Sequence, residues 1–143
     1  MRKAILLMLL AAVLAGGAFA QTNPGRNLAV AAADPNEQRV ALVIGNSAYA
    51  DSPLANPAND ANDIAQALRS FGFRVILWNN IGTRDMRQVI REFSAELRRA
   101  DVGLFYFAGH GVQVRGNNYL MPVGADIESK ADVEDLSVDA NYV

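Results

Sequence analysis

The stretch from Val102 to Gly111 reads VGLFYFAGHG. Its first seven residues carry no charge, the signature of a strand buried between neighbours. The last three set the only histidine of the chain between two glycines. A buried strand that delivers an imidazole at its carboxyl end places it where ligands gather in parallel α/β sheets. The residues on either side must then supply the rest of such a sheet.

Two further apolar runs lie upstream. Arg39 to Ile44 (RVALVI) and Arg74 to Trp78 (RVILW) both read as short strands, the first buried on both faces. Between them Ala61, Ile64, Ala65, Leu68 and Phe71 recur at helical spacing, with Asn59 or Asp60 placed as N-cap and Gly72 as the stop. Asn46 to Asn59, broken by Pro53 and Pro57, reads as a loop. A second helix opens at Thr83, carries Met86, Val89, Ile90, Phe93 and Leu97 inward, and ends at Arg98-Arg99, which suit its dipole. Strand, helix, strand, helix, strand predicts an α/β fold: a parallel-dominated sheet with helices on both faces. Beyond it, Val133, Leu136 and Ala140 have helix-compatible spacing.

Composition narrows the function. The chain has 143 residues, 51% hydrophobic and 20% charged, as expected of one globular domain. Thirteen Lys+Arg against fifteen Asp+Glu give a net charge of −2, which argues against a nucleic-acid partner. There is no cysteine, hence no disulfide, no Cys-ligated metal and no thiolate nucleophile within these residues. With a single histidine as well, no metal site is expected. Phosphate loops fail too: Gly45 to Tyr49 lacks G-x-G-x-x-G, and after Gly111 to Gly116 Asn117 stands where a P-loop requires Lys.

The first twenty residues read as an address. Met1-Arg2-Lys3 is followed by an uncharged run to Ala20, which ends on Ala18-Phe19-Ala20, an A-x-A cleavage pattern. This predicts a secretory signal peptide over 1–20 and an exported product, periplasmic or secreted, with no membrane association once the leader is removed. Residues 21–37, interrupted by Pro24-Gly25 and Asp34-Pro35, read as a flexible spacer, and 38–143 as the folded domain.

An imidazole, as in His110, can take and return a proton, while the side-chain-free Gly111 can bring its amide against an oxyanion. Position alone leaves two readings open, a catalytic pair or an idle histidine in a glycine turn.

Three segments carry a resemblance: RVALVIGNSAY (39–49), LANPANDANDIAQALRSFGFRV (54–75) and LFYFAGHGVQVRGNNYLMPVGADI (104–127). Together they resemble the amino-terminal two thirds of a caspase-like cysteine peptidase domain of the bacterial metacaspase type, in the C14 class. The resemblance implies a Cys-His dyad that hydrolyses peptide bonds, with His110 as its histidine and the Gly111 amide as half of the oxyanion hole. It also implies an acidic pocket that selects a substrate with Arg or Lys at the cleavage site, to which Asp60 contributes. The alternative for Asp60 is a helix cap. The family allows calcium dependence, which nothing in these residues supports, so no cofactor is expected.

The departure from the family is the missing cysteine. In caspases the nucleophile follows the histidine by about 50 residues, which puts it past Val143. The expectation is therefore the amino-terminal portion of an exported endopeptidase, inactive alone, truncated before its Cys-bearing strand and left with an unpaired sheet edge prone to aggregation. Ser47 and Ser137 do not replace the nucleophile, since neither stands in an elbow such as G-x-S-x-G. The other reading is a caspase-like pseudo-peptidase that binds peptides or proteins without cutting them.

Overall fold

The computed structural model describes the backbone of residues 5–8 and the whole of residues 36–143. Most of the expected signal peptide and spacer lies outside these residues. In chain order the elements are β1 (Ile5–Met8), β2 (Arg39–Gly45), α1 (Pro57–Ser70), β3 (Arg74–Asn79), α2 (Thr83–Leu97), β4 (Val102–Ala108), β5 (Gly111–Val114), β6 (Asn117–Leu120), α3 (Lys130–Leu136) and β7 (Val138–Asp139). A short 3-10 turn at Ala140–Tyr142 follows.

The main sheet has the order β1-β4-β2-β3, all parallel. Ile44 is level with Trp78 on one side and Phe107 on the other, so the three long strands end together. Because β3 and β4 flank β2 on opposite sides, right-handed crossovers send α1 and α2 to opposite faces. Alternation along β2 then feeds two cores. Val40, Leu42 and Ile44 meet Met86, Val89, Ile90 and Phe93 of α2, while Ala41 and Val43 meet Ala61, Ala65 and Leu68 of α1. The small residues on the α1 side allow a close approach. A Cβ at Gly45 would collide with the Pro57 carbonyl and Ala61, so glycine lets the start of α1 rest on the end of β2.

The helix starts differ from expectation. Neither Asn59 nor Asp60 caps α1: Asn56 is the N-cap, without a side-chain bond, and Pro57 takes the first helical position. The Ala58 amide is instead satisfied by Ser47 Oγ at 3.0 Å, reaching over from the loop after β2. Thr83 is the first residue of α2, after a Gly82 N-cap, and its hydroxyl donates to the Leu136 carbonyl at 2.9 Å.

Beyond Ala108 the chain builds a small antiparallel sheet, β5-β6-β7, for which no strand was expected. Arg115 and Gly116 close the β5–β6 hairpin with φ of 50° and 86°, both in the left-handed region that two-residue hairpin turns demand. The helical spacing that runs on to Ala140 is used only as far as Leu136. The capping box between Ser129 and Asp132 starts α3, and Val138 then pairs with Leu120. The outer edge of β4, expected to be unpaired, has the backbone of β1 along it, with Leu6 level with Leu104. Among the described residues no helix is long and apolar enough to cross a membrane.

Candidate active site

The carboxyl ends of β2, β3 and β4 are joined by a polar knot. Asn46, the residue after β2, is wholly buried. Its backbone N–H donates to the Ala108 carbonyl at 2.8 Å, its Oδ1 accepts the Ile81 N–H at 2.9 Å, and its Nδ2 donates to the Met121 carbonyl at 3.1 Å. One side chain thus fixes the exits of β3 and β6 against that of β2. Asn80, in the left-handed conformation (φ 56°), accepts the amides of Ser47 and Ala48 through Oδ1 at 2.8 and 2.9 Å. The loop that follows β2 is therefore held at its root.

That loop positions His110. Its backbone N–H donates to the Tyr49 hydroxyl at 3.0 Å, and the hydroxyl donates in turn to the Met121 carbonyl at 2.8 Å. The Tyr49 ring lies 4.4 Å from the imidazole, tilted by 55°. Gly109 makes this fit possible, since a Cβ there would come within 2.6 Å of the Tyr49 hydroxyl and 2.8 Å of the Phe107 ring. Burial pushes the Tyr49 phenol above its ordinary pKa, against the opposing pull of its hydrogen bonds, so the hydroxyl remains a donor.

The imidazole Nε2 lies 2.7 Å from the Ser52 carbonyl oxygen. A carbonyl only accepts, so this contact puts a proton on Nε2 and, in the neutral imidazole, leaves the lone pair on Nδ1. A neutral histidine oriented in this way can receive a proton at Nδ1. Gly111 follows as the exposed first residue of β5. The backbone carbonyl of His110 accepts the Met121 amide at 3.0 Å, which anchors the turn between them.

Asp60 stands exposed in the first turn of α1. It is near enough to Tyr106 of β4 that its charge adds to burial in raising the phenol pKa. The structure thus places Asp60 beside β4, the strand that leads to His110. Tyr49, Ser52 and Asn46 were not singled out from sequence. The one signal available was a run of polar residues directly after the buried β2. Among the described residues no group of His, Cys, Asp and Glu is arranged to hold a metal ion.

A parallel α/β sheet that carries an oriented histidine and a glycine past its third long strand defines a caspase-like, peptidase-type module. The chain belongs to the C14 peptidase family, whose caspase-domain model matches residues 38–138. Human mucosa-associated lymphoid tissue lymphoma translocation protein 1 is 36% identical over 90 residues, 62% of this chain. Its mouse homolog is 34% identical over 90 residues. The chain spans 11% of the length of each of these relatives. Both are mammalian proteins, whereas the sequence motifs were matched to the bacterial metacaspase type.

Proposed function

We propose that this chain is the histidine-bearing part of an exported, metacaspase-type cysteine endopeptidase that cleaves after Arg or Lys. The observation that carries the reading is His110, held through Nε2 by the Ser52 carbonyl with Nδ1 left to accept a proton. In the reaction, Nδ1 takes the proton of a cysteine thiol supplied from beyond these 143 residues, and the thiolate attacks the substrate carbonyl. The Gly111 amide donates to the resulting oxyanion. His110 returns the proton to the leaving amine, and water then hydrolyses the acyl-enzyme. Asp60 supplies negative charge for the basic side chain of the substrate, a role left open by its exposure and by its release from helix capping.

The test is an assay of the complete gene product on peptides with Arg, Lys or Asp at the cleavage site. The expected result is hydrolysis after Arg and Lys, reduced in His110→Ala by about 10²–10⁴-fold. Unchanged hydrolysis in that variant overturns the role of His110. Tight peptide binding without turnover supports the second reading, a caspase-like binding module, which the cysteine-free sequence favours. Amino-terminal sequencing of the exported protein tests the leader, with Gln21 as the expected first residue.

A further inference from the structure

On the α2 face, away from His110, Gly111 and Asp60, a cavity of about 730 Å³ opens between α2 and the segment running from α3 to Tyr142. Its α2 wall carries Arg87, Arg91 and Arg98. Arg87 is committed, since its guanidinium donates to the carbonyls of Asp135 and Ser137. Arg91 and Arg98 have no hydrogen-bond or ion-pair partner among the described residues. Of the two carboxylates of the cavity, Glu134 pairs with Arg115 at 3.4 Å, and Asp139, which accepts the neutral amide of Asn141 at 2.9 Å, keeps its charge against the arginines Arg87, Arg91 and Arg98. The cavity therefore presents uncompensated positive charge, although the chain as a whole is acidic.

Two more observations point to an occupant. Ser137 lines the cavity at 2% exposure, and its Oγ is a buried side-chain oxygen with no partner. Buried hydroxyls rarely go unsatisfied, and a ligand carbonyl or carboxylate reaching this wall would supply the acceptor. Tyr142, which also lines the cavity, is 78% exposed.

We propose that this cavity binds an extended acidic segment of a partner protein. Arg91 in α2 and Arg98 at its C-cap are seven residues apart, a separation of about 10 Å along the helix axis. In an extended peptide, side chains two or four residues apart share a face and stand about 7 or 13 Å apart. These distances bracket the arginine spacing within the reach of flexible guanidinium groups. Arginine also suits the role chemically, because its planar fork meets a carboxylate with two parallel hydrogen bonds. The site thus selects acidic chain, a charge preference opposite to that proposed for the active site, and it does not depend on that proposal.

The experiment is fluorescence anisotropy with the full chain and a short labelled peptide bearing Asp at alternate positions, next to the same peptide with Asn. The Asp peptide should bind, the Asn peptide at least tenfold more weakly. Arg91→Glu/Arg98→Glu should weaken binding of the Asp peptide by tenfold or more, while Arg69→Glu/Arg84→Glu, with the same change in net charge, leaves it within twofold. Ser137→Ala should weaken it several-fold without loss of thermal stability. Equal loss in the control pair, equal binding of the Asn peptide, or displacement by inorganic phosphate overturns the proposal. So does dimerisation of the free chain that the Arg91→Glu/Arg98→Glu variant abolishes, because the cavity then belongs to a second copy.

Discussion

The Tyr49 hydroxyl ties the loop after β2 to both His110 and Met121, accepting the His110 N–H at 3.0 Å and donating to the Met121 carbonyl at 2.8 Å. Removing the oxygen alone leaves the His110 N–H unpaired in a half-buried position and the Met121 carbonyl with only Asn46 Nδ2 as donor. Tyr49→Phe should therefore cost about 1–2 kcal/mol in urea unfolding and speed hydrogen exchange at the His110 amide. If His110 exchanges as slowly in the variant as in the parent, the bridge does not hold the turn.

Asn46 is the more severe case, because its side chain is wholly buried and serves both Ile81 and Met121. Asn46→Ala leaves the buried Ile81 N–H without its acceptor, takes one of two donors from the Met121 carbonyl and opens a small cavity. The expected loss is about 2–4 kcal/mol by denaturant unfolding. An exposed control, Asn62→Ala, should stay within about 0.5 kcal/mol of the parent. Similar losses for the two variants would show that the knot is dispensable.

The contrast between these residues and the strands explains what the sequence made legible. β2 and β4 are apolar runs whose burial follows from composition, and their expected bounds match to within a residue. His110 and Gly111 stand out because glycines bracket a lone histidine directly after such a run. Tyr49 and Ser52 do not, since their contacts to His110 span 61 and 58 residues and leave no local pattern. The start of α1 was misplaced for the same reason: its amide is satisfied by Ser47, eleven residues before Ala58. The β5–β6 hairpin was hidden by its turn, where Arg115 takes a positive φ usually given to Asn, Asp or Gly.

Asp60 and Tyr106 form an electrostatic pair that can be measured directly. Burial raises the Tyr106 pKa first, and the neighbouring Asp60 charge adds to it. A raised folded-state pKa means that the neutral phenol contributes stability fully below the unfolded value of about 10, and that this is lost as pH rises through the folded value. Asp60→Asn should lower the Tyr106 titration towards its ordinary range but leave it raised by burial. Difference absorbance against Tyr106→Phe isolates this phenol from the other three tyrosines. An identical titration with and without the Asp60 charge would place that carboxylate out of reach of β4.

A second pH effect sits at the start of α3. Hydrogen bonds from the Ser129 side chain and from the Ser129 and Glu128 amides hold the Asp132 carboxyl below the usual aspartate range. A lowered folded-state pKa gives stability that is present above the unfolded value and lost as pH falls through the folded one. α3 should therefore fray in acid, below about pH 4, before the main sheet unfolds. Exchange at the Val133 amide reports it, and Asp132→Asn should remove the pH dependence. Frayed exchange at neutral pH in the parent would count against the capping box.

The leader and the sheet make opposing demands, and this yields the last prediction. β1 covers the outer edge of β4 from Gly103 to Tyr106, yet the sequence of residues 1–20 predicts that they are cleaved on export. A chain beginning at Gln21 has no β1, so the N–H and C=O groups on that side of β4 have no strand to pair with. β4 is also the most apolar of the long strands, and an open apolar edge recruits other strands. The shortened chain should self-associate at concentrations where the 143-residue chain stays monomeric, as read by sedimentation velocity. Gly103→Pro in the shortened chain gives a further check, provided it folds: a residue without an N–H blunts the edge and should reduce association. Equal monodispersity of the long and short chains would mean that β1 does not protect the edge. Association of the short chain would mean that a chain beginning at Gln21 needs another strand beside β4.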